Sequence, residues 1–200
     1  MSFFIYGAGG HGKVVFDAMR ASNKICEGFV DERPVNKWMN LPVFNFSFLK
    51  AQENENNVMH IAIGSCASRA KICSELSGVD FFSVYHPSSI ISPSAVIGIG
   101  SFLAAGSIIG PDVKVGMHSI INHHAVIDHD CVVGNFCHIA PLASLGGGVS
   151  IGQNVLIGAG AIVLPGIKID DYSIVGAGAI VTENVQSRTT VVGNPARAIN

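Results

Sequence analysis

Ile121-Asn122-His123-His124-Ala125-Val126-Ile127-Asp128-His129-Asp130-Cys131-Val132-Val133 repeats a six-residue pattern. A branched aliphatic stands at 121, 127 and 133, and a small residue follows four positions after the first two, at Ala125 and Cys131. Steps of six backwards from Ile121 reach Val115, Ile109, Leu103, Ile97 and Ile91. Forwards they reach Ile139, Leu145, Ile151, Ile157, Val163, Ile169, Val175 and Val181. Every one is Ile, Leu or Val. The small position is filled again by Ser101, Ser107, Ser119, Cys137, Ala143, Ala161, Ser173 and Ala179. A helix repeats every 3.6 residues and a strand every two, so neither sustains this register. A parallel β-helix does, with short strands pointing an aliphatic inward and small residues turning the corners. Each coil buries its aliphatics against those above and below, so both ends need caps.

Outside the repeat the composition changes. Residues 1–86 carry 8 Lys/Arg and 8 Asp/Glu, against 4 and 6 in residues 87–200, while glycines run the other way, 7 against 16. The turn-rich stretch Tyr85-His86-Pro87-Ser88-Ser89 lies at this shift and suits a domain junction, giving units 1–86 and 87–200. The first unit reads as alternating strands and helices: a strand at Phe3–Tyr6, a helix from Lys13 to about Ala21, and strands at Cys26–Val30 and Met59–Ile63. A helix from about Ser68 to Leu76 and a strand at Phe81–Tyr85 follow. That order predicts a small parallel α/β, Rossmann-like unit. Gly7-Ala8-Gly9-Gly10-His11-Gly12 after the first strand matches the GxGxxG phosphate loop, and Asp31-Glu32 ends the second strand, where a carboxylate can meet ribose hydroxyls. The unit is too short for a full dinucleotide fold and suits a single nucleotide diphosphate group.

Both halves together resemble the hexapeptide-repeat acetyltransferases of the nucleotide-sugar N-acetyltransferase and sialic acid O-acetyltransferase family. The closing Val192-Gly193-Asn194-Pro195-Ala196-Arg197 resembles the end signature of these enzymes. The resemblance implies a left-handed β-helix with three hexads per coil, hence about five coils over 91–180. It also implies acetyl-CoA as co-substrate, a nucleotide sugar held by the α/β cap, and a homotrimer with active sites at subunit interfaces. By the same similarity Gly9, Gly10, His11, Asp31, Glu32 and Gly64 line the nucleotide site and Asn122 meets the acceptor sugar. His138, Gly147, Ala159 and Ala177 contact acetyl-CoA, and His129 is the catalytic base.

The residues allow that chemistry. Five of the eight histidines lie between 118 and 138. Acyl transfer to an amine or hydroxyl needs a base with a pKa near neutrality, and imidazole supplies one. Asp130 beside His129 can orient the ring and stabilise its imidazolium, although many relatives have Glu there. Gly147 lies one 18-residue coil above His129, where a missing side chain lets backbone approach a ligand. His118, His123 and His124 are expected to be solvated or interfacial, and Cys131 and Cys137 to be packed.

Other classes are set aside. The apolar share is 48%, and the charged share of 13% is roughly half the usual value, which argues against disorder. A net charge of −2 gives no reason to expect nucleic acid or an anionic membrane as partner. No apolar run is long enough to span a bilayer, and Met1–Gly12 lacks a basic start, so a cytoplasmic protein is expected. Five cysteines without CxxC spacing suggest reduced thiols. Trimeric β-helix carbonic anhydrases share the architecture, and His124 with His129 imitates two of their zinc ligands. The third should fall 36 residues before the first, where this chain has Ser88 (or Phe82 for the pair His118 and His123), so no metal is expected.

Overall fold

The computed structural model describes residues 1–33, 36–47, 57–76 and 78–199. Strands β1 (Ser2–Tyr6), β2 (Gly28–Val30), β3 (Lys37–Trp38), β4 (Leu41–Phe44), β5 (Asn57–Ile61) and β6 (Asp80–Phe81) form one sheet in the order β3-β4-β2-β1-β5-β6. All neighbours are parallel except β3 and β4. That antiparallel pair was not anticipated. Its two-residue turn, Met39-Asn40, takes positive φ at both positions, and Met at the first of them carries no turn signal. Helix α1 (Gly10–Ala21) starts three residues before the expected Lys13, and α2 covers Cys66–Glu75.

From Val84 to Val181 the chain is a parallel β-solenoid. Two-residue strands pair with those eighteen residues on, as Phe102–Leu103 does with Ile120–Ile121 and Val126–Ile127 with Ser144–Leu145. A first face stacks Val84, Phe102, Ile120, His138, Leu156 and Ile174 as its outward column. The second face stacks Ile90, Ile108, Val126, Ser144, Ile162 and Ile180, and the third Val96, Lys114, Val132, Ser150 and Lys168. The solenoid therefore begins earlier than Ile91 and runs into a sixth coil. Val185 bridges Ile169, and strands Thr190–Val192 and Arg197–Ile199 close that end. The expected strand Phe81–Tyr85 is divided: Asp80–Phe81 belongs to the α/β sheet and Val84–Tyr85 to the solenoid.

The hexad aliphatics fill the interior, with Leu103 through Val181 at most 4% exposed and Ile91 and Ile97 partly buried at the open end. Each contributes roughly 1.5–3 kcal/mol of burial. The small position has a second reason to be Ser or Cys. Ser101, Ser119, Cys131 and Cys137 each donate to a corner carbonyl fifteen residues on. From Gly100 to Gly178 every sixth residue is left-handed, including His118, His124, Asp130, Phe136 and Leu142, with φ between 51° and 62°.

The α/β unit docks on the first face. Ile5, Val15, Met19, Phe29 and Phe82 share one core with Val84, Phe102 and Ile120. His138, next in that column, is its first polar residue, and the docked unit reaches one coil further through Cys66, whose thiol meets the Val155 carbonyl.

Candidate functional site

His129 and Gly147 occupy the edge between the second and third faces, in successive coils. The His129 side chain is 59% exposed and its Nδ1 donates to Asp130 Oδ2 at 2.7 Å. A carboxylate only accepts, so Nε2 is left with its lone pair. Asp130 takes φ 61°, a left-handed corner that Asp tolerates better than longer side chains, and it still reaches the ring. The Asp130 hydrogen bond, reinforced by Asp128, raises the His129 pKa above its ordinary value. A Cβ built on Gly147 would meet Nε2 at 2.5 Å, so only glycine leaves the ring its place.

Asn122, Ala159 and Ala177 lie on a different edge, the first edge, between the first and second faces. Ala159 and Ala177 are exposed and stacked, with Gly178 N–H donating to the Ala159 carbonyl at 2.8 Å. Within one chain the second face separates this edge from His129. Its outward column leaves Ile90, Ile108 and Ile162 exposed.

His138 stands beside the first edge, and its ring is held on both nitrogens. Nδ1 donates to the Gly64 carbonyl at 3.1 Å, and Nε2 lies 3.1 Å from Asn122 Nδ2, which must then be the donor. Burial, with help from the Arg69 cation, pushes its pKa down to about 4, so it is neutral at cellular pH. His11 lies next to it, ring centroids 6.4 Å apart, with its edge on Phe102. Burial pushes His11 down to about 3, and its Nε2 has no partner. Its ring thus faces the solenoid rather than the glycine loop. A cavity of about 310 Å³ opens between α1 and this edge, lined in part by Lys13, Asp17, Phe102 and His123.

In the glycine loop, Gly9 caps α1 without any side-chain cap, and a Cβ on Gly9 or Gly10 would meet nothing within 4 Å. A Cβ on Gly12 would strike the Gly7 carbonyl, so that glycine serves helix–strand packing. Asp31 braces the loop from below. Its Oδ2 accepts the Ala8 N–H at 2.8 Å, and Arg33 forks onto both oxygens, holding the carboxyl at about 2. Glu32 accepts the Phe46 N–H at 3.1 Å. Arg33 and Arg69 were missed in the sequence, because each acts on carbonyls or a neighbour that no motif encodes.

Among the described residues no group of three His, Cys, Asp or Glu side chains could hold a metal ion, and His124 and His129 lie on different edges. No helix among them is long and apolar enough to cross a membrane.

A hexapeptide solenoid with an α/β cap, shared over its whole length with solved acetyltransferases that hold CoA, defines an acyltransferase. The PglD N-terminal domain family matches residues 2–76, and the bacterial transferase hexapeptide (six repeats) family matches residues 130–163 and 148–183. GDP-perosamine N-acetyl transferase from Caulobacter crescentus, solved with CoA and GDP-perosamine, is 34% identical with a TM-score of 0.95. The match covers 100% of this chain and 97% of that one. The acetyltransferase domain of PglB from Neisseria gonorrhoeae is 31% identical, TM-score 0.93, over 99% of each chain. WeeI from Acinetobacter baumannii is 28% identical, TM-score 0.85, over 100% of each. A search of curated protein sequences returns no match. The chain belongs to the hexapeptide-repeat nucleotide-sugar acetyltransferase family.

Proposed function

We propose that the chain moves the acetyl group of acetyl-CoA onto the amino group of a nucleotide-linked amino sugar, such as a UDP-4-amino-4,6-dideoxy sugar. Bacterial surface-glycan synthesis would use the product. The observation that carries this reading is the His129–Asp130 pair at 2.7 Å with Nε2 over Gly147, in a chain whose relatives bind CoA and GDP-perosamine. The sugar amine attacks the acetyl carbonyl, and Nε2 takes the proton it sheds. The imidazolium, steadied by Asp130, then protonates the departing CoA thiolate. Backbone at Gly147 approaches the carbonyl oxygen as negative charge gathers there. Gly9, Gly10, His11, Asp31, Glu32 and Gly64 line the nucleotide site, the His11 contribution coming from its backbone, and Asn122 meets the acceptor sugar. The five free thiols fit a reducing cytoplasm.

His129 and Gly147 are on one edge of a chain, and Ala159 with Ala177 on another. A homotrimer with the second face turned to its axis would set the first edge of one copy against the His129 edge of the next. The exposed Ile90, Ile108 and Ile162 column gives that face its apolar contact. Sedimentation should therefore report a trimer. Mixed trimers of His129→Ala chains with Ala177→Trp chains should recover activity that neither parent has. An active monomer would end the interface account.

The cap has its own test. Because a Cβ on Gly9 enters open space, Gly9→Val should leave Tm unchanged while raising KM for the sugar nucleotide far more than for acetyl-CoA. Equal effects on both substrates would make the loop structural. The activity itself is tested by thiol release from acetyl-CoA across a panel of UDP-, GDP- and CMP-linked sugars. Release should require an amino sugar. Release with a hydroxyl-only acceptor such as a sialic acid would make the chain an O-acetyltransferase.

A further inference from the structure

Arg69 on α2 is only 1% exposed, and besides meeting the Cys66 side chain it makes five hydrogen bonds to backbone carbonyls. Nε donates to the His118 carbonyl at 2.7 Å, and Nη1 to Ile63 at 2.6 Å and Gly64 at 3.2 Å. Nη2 donates to Phe136 at 2.8 Å and Cys137 at 3.0 Å. A guanidinium stays protonated even when burial lowers its pKa, so this is a charge taken out of water. Burying a charge is costly unless its donors are met. Docking of α2 alone would be served by an apolar side chain of similar volume. The carbonyls that Arg69 meets are not scattered, because two of them bracket one residue. The Cys137 carbonyl belongs to the peptide bond that enters His138, and the Gly64 carbonyl is the one that accepts His138 Nδ1–H.

We propose that Arg69 is a positioning residue for acetyl transfer, holding His138 by its chain through the Cys137 carbonyl and by its ring through the Gly64 carbonyl. This rests on the reading of His138 as part of the acetyl-CoA site. Gly64 belongs to the loop that follows β5 in the nucleotide-binding cap. Arg69 thereby ties that loop to the solenoid and fixes which nitrogen of His138 carries the proton. With Nδ1–H committed to Gly64, Nε2 can only accept, and it turns toward Asn122 on the first edge. Lysine keeps the charge but has three donors in a tetrahedral head, so it cannot span carbonyls on both sides of His138.

The test uses the whole chain. Nitrogen-15 NMR of the imidazoles in the substrate-free protein should find His138 as the Nδ1–H tautomer. In Arg69→Lys it should become a mixture of tautomers while the assembly stays intact. Arg69→Lys should lower kcat/KM by roughly 10- to 100-fold, the cost of a slightly misplaced group. In a His138→Ala background the same change should cost less than about twofold, since the two act as one unit. An unchanged tautomer in Arg69→Lys, or losses that multiply, would overturn the proposal. Should Arg69→Lys not fold, Arg69→Gln takes its place, and failure of both to fold would assign Arg69 to stability alone. The tautomer is read without substrate, so it stands or falls separately from acetyl transfer itself.

Discussion

His129→Ala is expected to lower kcat by roughly 10²–10⁴-fold, the usual worth of a positioned base, with the oligomeric state and Tm unchanged. The ring is more than half exposed on a corner and contributes nothing to the aliphatic interior, so its loss should not be felt in stability. The pH profile carries a second signature. As the proposed base His129 would have to be unprotonated, and Asp130 with Asp128 raises its pKa, so the acidic limb of kcat should lie above the ordinary histidine value of about 6.5. That limb should vanish in His129→Ala alone. A variant with near-normal kcat on the true acceptor would remove His129 from the mechanism.

The other large effect concerns acid. Burial is the leading cause that lowers four histidines, His60, His118 and His138 to about 4 and His11 to about 3. Three of them keep a buried ring nitrogen without a partner: His11 Nε2, His60 Nε2 and His118 Nδ1. A second proton on any of these would sit on a donor with no acceptor. Between pH 6.5 and about 4 the unfolded chain binds protons that the folded chain refuses, so stability falls as pH falls. Each fully buried ring removes about 1.4 kcal/mol per pH unit in that window. His129 is shifted the other way, but its ring is more than half exposed and water screens the interaction, so it offsets little of the loss. Asp31, held at about 2, adds its own loss only below pH 4. Urea midpoints taken at one protein concentration should therefore drop steeply from pH 6.5 to 4.5, and the slope should lessen in His60→Gln. A midpoint that stays level across that interval would contradict the burial of these rings as neutral species.

Much of the fold is legible because the hexad is a one-dimensional rule. Each Ile, Leu or Val at its sixth position meets the same residue types eighteen before and after, so no distant contact is needed to predict its burial. The same arithmetic already contained the separation of the site into two edges. Gly147 and Ala159 differ by two hexads and cannot share a corner. What sequence could not supply comes from groups without a side-chain signature. The Met39-Asn40 turn is set by backbone φ, and Arg69 is recruited by carbonyls of residues from 63 to 137. The α1 start lies ahead of the expected Lys13 because Gly10 and Gly12 are poor helix formers in isolation; the close approach of Gly12 to the Gly7 carbonyl explains the second of them.

The product of the reaction tests the account most directly. With acetyl-CoA and a nucleotide-linked amino sugar that supports turnover, NMR and mass of the isolated product should show one added acetyl group, bonded as an amide to the sugar nitrogen and coupled to its N–H. The nucleotide should be intact, and one CoA thiol released per product. An acetyl ester on a sugar hydroxyl, or CoA release with an unmodified sugar, would contradict it.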